Sequence, residues 1–194
     1  MQYASRVRKE LKEVESESSS AGVSARLLDG KLNHWKGEIK GPEDTPYQGG
    51  TFVVDIQIPD NYPFVPPKMR FDTKIWHPNV SSANGAICLD ILKDEWSPAL
   101  TMRTALLSLQ ALLFYPNPSD PQDAQVAAQY KKSKKEWEAT AKFWTQTYAM
   151  KGDGLDTKVK QLMEMGFPEE KAKEALKAKK GDLNAALTSL FSAS

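Results

Sequence analysis

The chain has 194 residues, enough for one full domain and a small appendage. Its 26 Lys and Arg against 25 Asp and Glu leave a net charge of +1, so neither nucleic acid nor a membrane surface is expected as a partner. A single cysteine excludes an internal disulfide framework and a cysteine-rich metal site, no apolar run is long enough to span a bilayer, and the charged start MQYASRVRKELKEVE lacks the core of a secretory signal; a soluble protein of a reducing compartment is expected.

Val7, Leu11 and Val14 recur at helical spacing and predict an amphipathic first helix. The run Ser16-Glu17-Ser18-Ser19-Ser20 reads as a solvated loop. Val23–Leu27 and Leu32–Lys40 predict strands, the second with Trp35, Gly37 and Ile39 on one face. Phe52, Val54, Ile56 and Ile58 alternate with Thr51, Val53, Asp55 and Gln57 in the clearest strand, and Met69 with Phe71 marks a fourth. The stretch from Trp76 to Pro98 lacks periodicity, and its Asn84 and Gly85 favour turns, so it reads as an extended loop holding Cys88. Thr101–Leu113 predicts a buried central helix. Asp120-Pro121 predicts an N-cap followed by Pro at the first helical position, and Ser133-x-x-Glu136 a capping box for a helix reaching about Ala149. Together these give an α+β fold, a four-stranded antiparallel sheet with flanking helices.

Composition changes near residue 150. Eleven of the 12 prolines lie between Pro42 and Pro121, and every Trp, every Tyr and the Cys precede Met150. The expected organisation is a domain over 1–150, a polar connector over 151–154 (Lys151-Gly152-Asp153-Gly154), and a small three-helix domain over 155–194. Its helices are expected at about 156–164, 168–179 and 183–191, with Pro168 at a helix start and a core of Val159, Leu162, Ala172, Leu176, Ala186 and Leu190.

For chemistry, the residues alone leave alternatives open. A lone Cys is among the most buried residue types, so composition favours an inert core thiol at Cys88; the sharper reading is a Cys/His hydrolase with His77 or His34 as base. No basic partner for Cys88 is evident.

His77-Pro78-Asn79, followed nine residues later by Cys88 in Ile87-Cys88-Leu89-Asp90-Ile91-Leu92, and then Trp96-Ser97-Pro98, resembles the active-site signature of ubiquitin-conjugating enzymes. Gly41-Pro42, Thr45-Pro46-Tyr47-Gln48-Gly49-Gly50 and Tyr62-Pro63-Phe64-x-Pro66-Pro67-Lys68 are similar to that family too, as are Asn117-Pro118-x-Asp120-Pro121 and Trp144-Thr145-Gln146-x-Tyr148. The likeness covers essentially 1–150. It is nearest the subgroup with a C-terminal ubiquitin-associated domain, which Met165-Gly166-Phe167 and Gly181-Asp182-x-x-Ala185-Ala186-x-x-x-Leu190 resemble.

The resemblance implies that Cys88 accepts the C-terminal glycine of ubiquitin as a thioester from the activating enzyme. That enzyme consumes the ATP, so this chain needs no cofactor and no metal. Ubiquitin then passes, with a ligase of the RING type, to a lysine, building polyubiquitin chains of the proteasome-targeting type. A monomer working in the cytoplasm and nucleus is implied. Asn79 matches the family's oxyanion donor, with a purely local turn role as the alternative. Asp120 matches an acidic gate that orients the incoming amine, beside its expected N-cap role. His77 matches a structural residue, and Asp90 either touches substrate or closes a turn. Arg6 and Lys9 match contacts to the activating enzyme, otherwise a solvated helix face. Pro63, Phe64, Trp96, Pro98 and Ala99 match the ligase site, with inward packing as the alternative for Trp96. Met165, Gly166, Phe167 and Leu190 match the ubiquitin contact of the small domain, against a plain core role for Met165 and Phe167. Phe191 stands where that family commonly has a second Leu. A non-catalytic ubiquitin holder is the competing class, and the presence of Cys88 argues against it.

Overall fold

In the computed structural model residues 2–16, 22–150, 154–179 and 183–192 are described. Helix α1 (Gln2–Ser16) buries Val7 and Val14, the two ends of its apolar stripe, and packs on the first two strands. Those strands and the next two, β1 (Val23–Leu28), β2 (Lys31–Lys40), β3 (Thr51–Gln57) and β4 (Lys68–Phe71), form one antiparallel sheet in the order β1-β2-β3-β4. The period-2 pattern decides which face is inward: Trp35, Ile39, Phe52, Val54 and Ile56 are fully buried. Across this face lies α2 (Met102–Phe114), whose Leu106, Leu109 and Leu113 are buried as their spacing predicts, with Thr101 as its N-cap. Gly37 lets helix and sheet meet closely, since a Cβ there would stand 2.9 Å from the Leu106 side chain.

The polar face of the sheet holds one surprise. Asp55 is buried beneath His34, Lys36 and Gln57, which reach its carboxylate from both sides. Burial alone would raise that carboxyl, but the hydrogen bonds from Lys36 and His34 hold it below the ordinary carboxylate range.

Two further helices complete this unit, α3 (Ala124–Lys132) and α4 (Lys134–Tyr148). Ser133 caps α4 by accepting from the Glu136 N–H, as the capping box predicts. The start of α3 corrects the sequence reading. Asp123, not Asp120, is its N-cap and accepts from the Val126 N–H, so Pro121 does not sit in the helix. The physical reason is tertiary: the N–H groups of Gln122 and Asp123 both donate to the Pro78 carbonyl, which holds residues 120–123 out of the helix. Asp120 is thereby freed from capping.

The chain divides into two compact units, Met1–Ala149 and Met150–Ser194. The second contains α5 (Gly154–Glu164), α6 (Glu169–Ala178) and α7 (Leu183–Ser192). All six expected core residues, Val159, Leu162, Ala172, Leu176, Ala186 and Leu190, are buried there. Pro168 takes the N-cap position of α6, one residue earlier than the first helical turn. Of the expected connector, Gly154 already belongs to α5; residues 151–153 lie outside the described residues, as do residues 181–182 and most of the Ser-rich run.

Candidate active site

The loop expected to hold Cys88 is more ordered than its composition suggests. Its segment around Ala86 and Ile87 bridges to Arg70 and Val80, and the Phe71 N–H donates to the Gly85 carbonyl. Gly85 makes this possible: its φ is +75° and a Cβ would stand 1.9 Å from the Phe71 carbonyl oxygen. The Cys88 N–H donates to the Asn79 carbonyl at 2.9 Å, which ties the thiol to the His77-Pro78-Asn79 segment.

Cys88 is half-buried rather than an inert core thiol. Its Sγ lies 3.4 Å from Asp120 Oδ2 and 3.3 Å from Lys93 Nζ, between a carboxylate and an ammonium. Lys93 is the residue that sequence reasoning missed. The short 3-10 turn Asp90–Leu92, in which the Lys93 N–H donates to the Asp90 carbonyl, folds it back toward the sulfur. Its hydrogen bond to that sulfur raises the Lys93 ammonium above the ordinary lysine range. Asp90 itself accepts from the Ile91 N–H, a turn role.

Asn79 is buried, and its amide is fully committed to the loop that carries Asp120. Nδ2 donates to the carbonyls of Asn117 (2.8 Å) and Asp120 (2.9 Å), and Oδ1 accepts from the Asn117 N–H (2.8 Å). In this arrangement Asn79 positions Asp120 against the sulfur, and a direct oxyanion bond requires Nδ2 to leave one carbonyl. Asp123 pins the other side, accepting from the Ser82 hydroxyl and N–H.

Neither histidine reaches the thiol. His34 lies on the sheet against Asp55. His77 is fully buried, with Nε2 donating to the Leu112 carbonyl and Nδ1 accepting from the Asn79 N–H. These two bonds fit the neutral ring, and the geometry removes the Cys/His hydrolase. Burial lowers the His77 pKa to about 4, against a bond to Leu112 that acts in the opposite sense. Because the unfolded chain takes up a proton near pH 6.5 and the folded chain does not, stability is full above that pH. It falls by up to about 3 kcal/mol as pH drops toward 4. Urea midpoints of the protein between pH 7 and 4 should show this slope, and His77→Gln should flatten it; an unchanged slope in the variant would assign the dependence elsewhere.

Around the site the residues matched to partners fall into groups. Trp96 packs against Tyr62 in a tilted arrangement with ring centroids 5.7 Å apart, and its Nε1 donates to the Pro63 carbonyl. It is therefore half-buried and joins the two proline-rich loops. Phe64 is 81% exposed beside Pro63, and Pro98 and Ala99 are exposed as well. Arg6 turns inward: its guanidinium donates to the Pro98 and Leu100 carbonyls and pairs with buried Glu10, which also accepts from Tyr62 and the Met102 N–H. Lys9 is exposed. In the small unit Met165 is 60% exposed beside Gly166, whose φ is +94°, and is not core. Phe167 is half-buried and stacks edge-on against exposed Phe191, while Leu190 is buried.

Comparison with known proteins adds an independent finding. Residues 6–145 match the family model described as ubiquitin-conjugating enzyme, and residues 155–190 match that of the UBA/TS-N domain. The chain is 53% identical over 189 residues to ubiquitin-conjugating enzyme E2 27 of Arabidopsis thaliana, covering 97% of this chain and 98% of that one. It is 47% identical over 192 residues to ubiquitin-conjugating enzyme E2 K of Homo sapiens, covering 96% of each. Among solved structures, the ubiquitin-conjugating enzyme domain of Toxoplasma gondii is 55% identical with a TM-score of 0.71, over 75% of this chain and 97% of that one.

Proposed function

The chain belongs to the ubiquitin-conjugating enzyme family, and on that premise we propose that Cys88 is the residue on which it carries ubiquitin as a thioester. The observation that supports this most is the half-exposed Sγ held between Asp120 and Lys93. The thiol attacks ubiquitin's activated C-terminal carbonyl, and the bond to the activating enzyme breaks. An acceptor lysine then gives up its proton, with Asp120 orienting the amine, and its nitrogen attacks the same carbonyl. The carbon–sulfur bond breaks, an isopeptide forms, and the sulfur leaves as thiolate beside the Lys93 ammonium before regaining a proton. The ATP-derived energy arrives stored in the thioester, so no cofactor or metal is needed on this chain.

The group of exposed Phe64, Pro98 and Ala99 with half-buried Pro63 and Trp96 suits a ligase of the RING type. Lys9 suits the activating enzyme, with Arg6 shaping the neighbouring loop from within. The product is polyubiquitin of the proteasome-targeting type, made by a monomer in the cytoplasm and nucleus, and the chain ahead of α5 tethers a ubiquitin-binding domain to the catalytic one. Incubation with activating enzyme, ubiquitin and ATP tests the reading: a reductant-sensitive adduct is expected, and its absence would end the proposal.

For the small domain, Met165, Gly166, Phe167 and Leu190 form the candidate ubiquitin contact. Met165→Glu in the full chain places a charge on an exposed apolar side chain, so the fold is kept while ubiquitin binding weakens by at least about tenfold. Titration of ubiquitin followed by NMR measures the binding, with Cys88 charging as the control. Undiminished binding would show that this loop is not the contact.

A further inference from the structure

Behind the exposed Phe64, Pro98 and Ala99 sits a carboxylate that none of the roles above uses. Glu10 of α1 is only 2% exposed. A buried carboxylate is costly unless it is paired and hydrogen-bonded, and three donors meet this one. They are the Arg6 guanidinium one turn earlier on α1, the Tyr62 O–H at 2.7 Å and the Met102 N–H at 2.8 Å. Met102 opens α2, so the positive end of that helix favours the charge as well. Burial first, and then the bond to Glu10, push the Tyr62 hydroxyl well above the ordinary tyrosine range, so it remains a donor. These bonds hold two loops in register. Tyr62 immediately precedes Pro63 and Phe64, while the rest of the Arg6 guanidinium donates to the carbonyls of Pro98 (2.8 Å) and Leu100 (2.9 Å), one on each side of Ala99. Glu10 is bonded to both anchors. None of its partners belongs to the group around Cys88.

Resting on the reading of those loops as the ligase site, we propose that Glu10 is a positioning residue for ligase-stimulated transfer. It sets, from within, the spacing of Phe64 from Pro98 and Ala99, and so presents the ligase surface already formed. A surface formed in advance binds more tightly, because no loop has to be ordered at the moment of binding. Without Glu10, Tyr62 and Arg6 lose their common partner, and that spacing is no longer fixed.

The test is single-turnover discharge of the full chain, loaded with ubiquitin, onto free lysine, with and without isolated RING domains drawn from a panel of ligases. A RING domain that accelerates the unaltered chain is then titrated against Glu10→Gln, which keeps the shape of the side chain and removes the charge facing Arg6. The RING concentration for half-maximal stimulation should rise about three- to tenfold, while discharge without a RING domain stays unchanged. Tyr62→Phe removes one O–H and leaves the ring against Trp96, and it should raise the same concentration at least about twofold. Should Glu10→Gln fail to fold, Tyr62→Phe decides by itself. An unchanged half-maximal concentration in either folded variant, or equal slowing of discharge with and without the RING domain, would overturn the proposal. If no RING domain of the panel accelerates the unaltered chain, the ligase reading itself falls, and this proposal with it.

Discussion

Cys88→Ser should convert the adduct with ubiquitin from one that reductant removes into one that resists it, and should lower transfer to lysine by at least about a thousandfold. The chain has a single cysteine, so no other side chain can form a thioester. Serine is still able to receive the acyl group, but the ester it forms must expel an alkoxide when an amine attacks, a far poorer leaving group than thiolate. The surroundings add to this difference, since Lys93 Nζ stands 3.3 Å from the sulfur where it supports the departing charge. Non-reducing and reducing gels of the loading reaction separate the two ester types directly. A reducible adduct persisting in Cys88→Ser would refute the assignment.

Asn79→Ala should leave loading intact and slow single-turnover discharge onto free lysine by about a hundredfold. The amide of Asn79 makes three hydrogen bonds to the backbone of residues 117–120, and removing it leaves those groups without their partner. A loss of about 1–3 kcal/mol in stability is expected from this alone, to be read from urea unfolding. The catalytic loss follows because the same loop sets Asp120 Oδ2 at 3.4 Å from Sγ. A positioning role has a signature that an oxyanion donor lacks. If Asn79 acts by placing Asp120, then Asp120→Ala already removes what Asn79 supports, and adding Asn79→Ala costs little more. Multiplying effects in the double variant would favour an independent donor at the carbonyl instead.

The amphipathic spacing of Val7 and Val14, the alternation through Phe52–Ile58 and the six-residue core of the small unit all emerge in the structure as the residues predict. These are local signals, in which a period of 3.6 or 2 states which side chains face inward whatever the rest of the chain does. The motif around His77-Pro78-Asn79 and Cys88 likewise marked the thiol, through its likeness to a family rather than through any periodicity.

Other features depend on contacts between distant segments. Asp120-Pro121 has the local form of a helix start, yet the Pro78 carbonyl takes the next two N–H groups and moves the cap to Asp123. Asp55 alternates like a solvent-facing residue, yet His34 and Lys36 from the adjoining strand cover it. Arg6 reads as part of a solvated face, yet the carbonyls of Pro98 and Leu100 draw it inward. The sequence by itself therefore determined the elements and their buried faces, and pointed to Cys88 as the candidate thiol through its likeness to a family. The tertiary structure alone decided the placement of Asn79 and Asp120 at that thiol, because hydrogen bonds between segments up to 41 residues apart set those positions, and no local pattern encodes them.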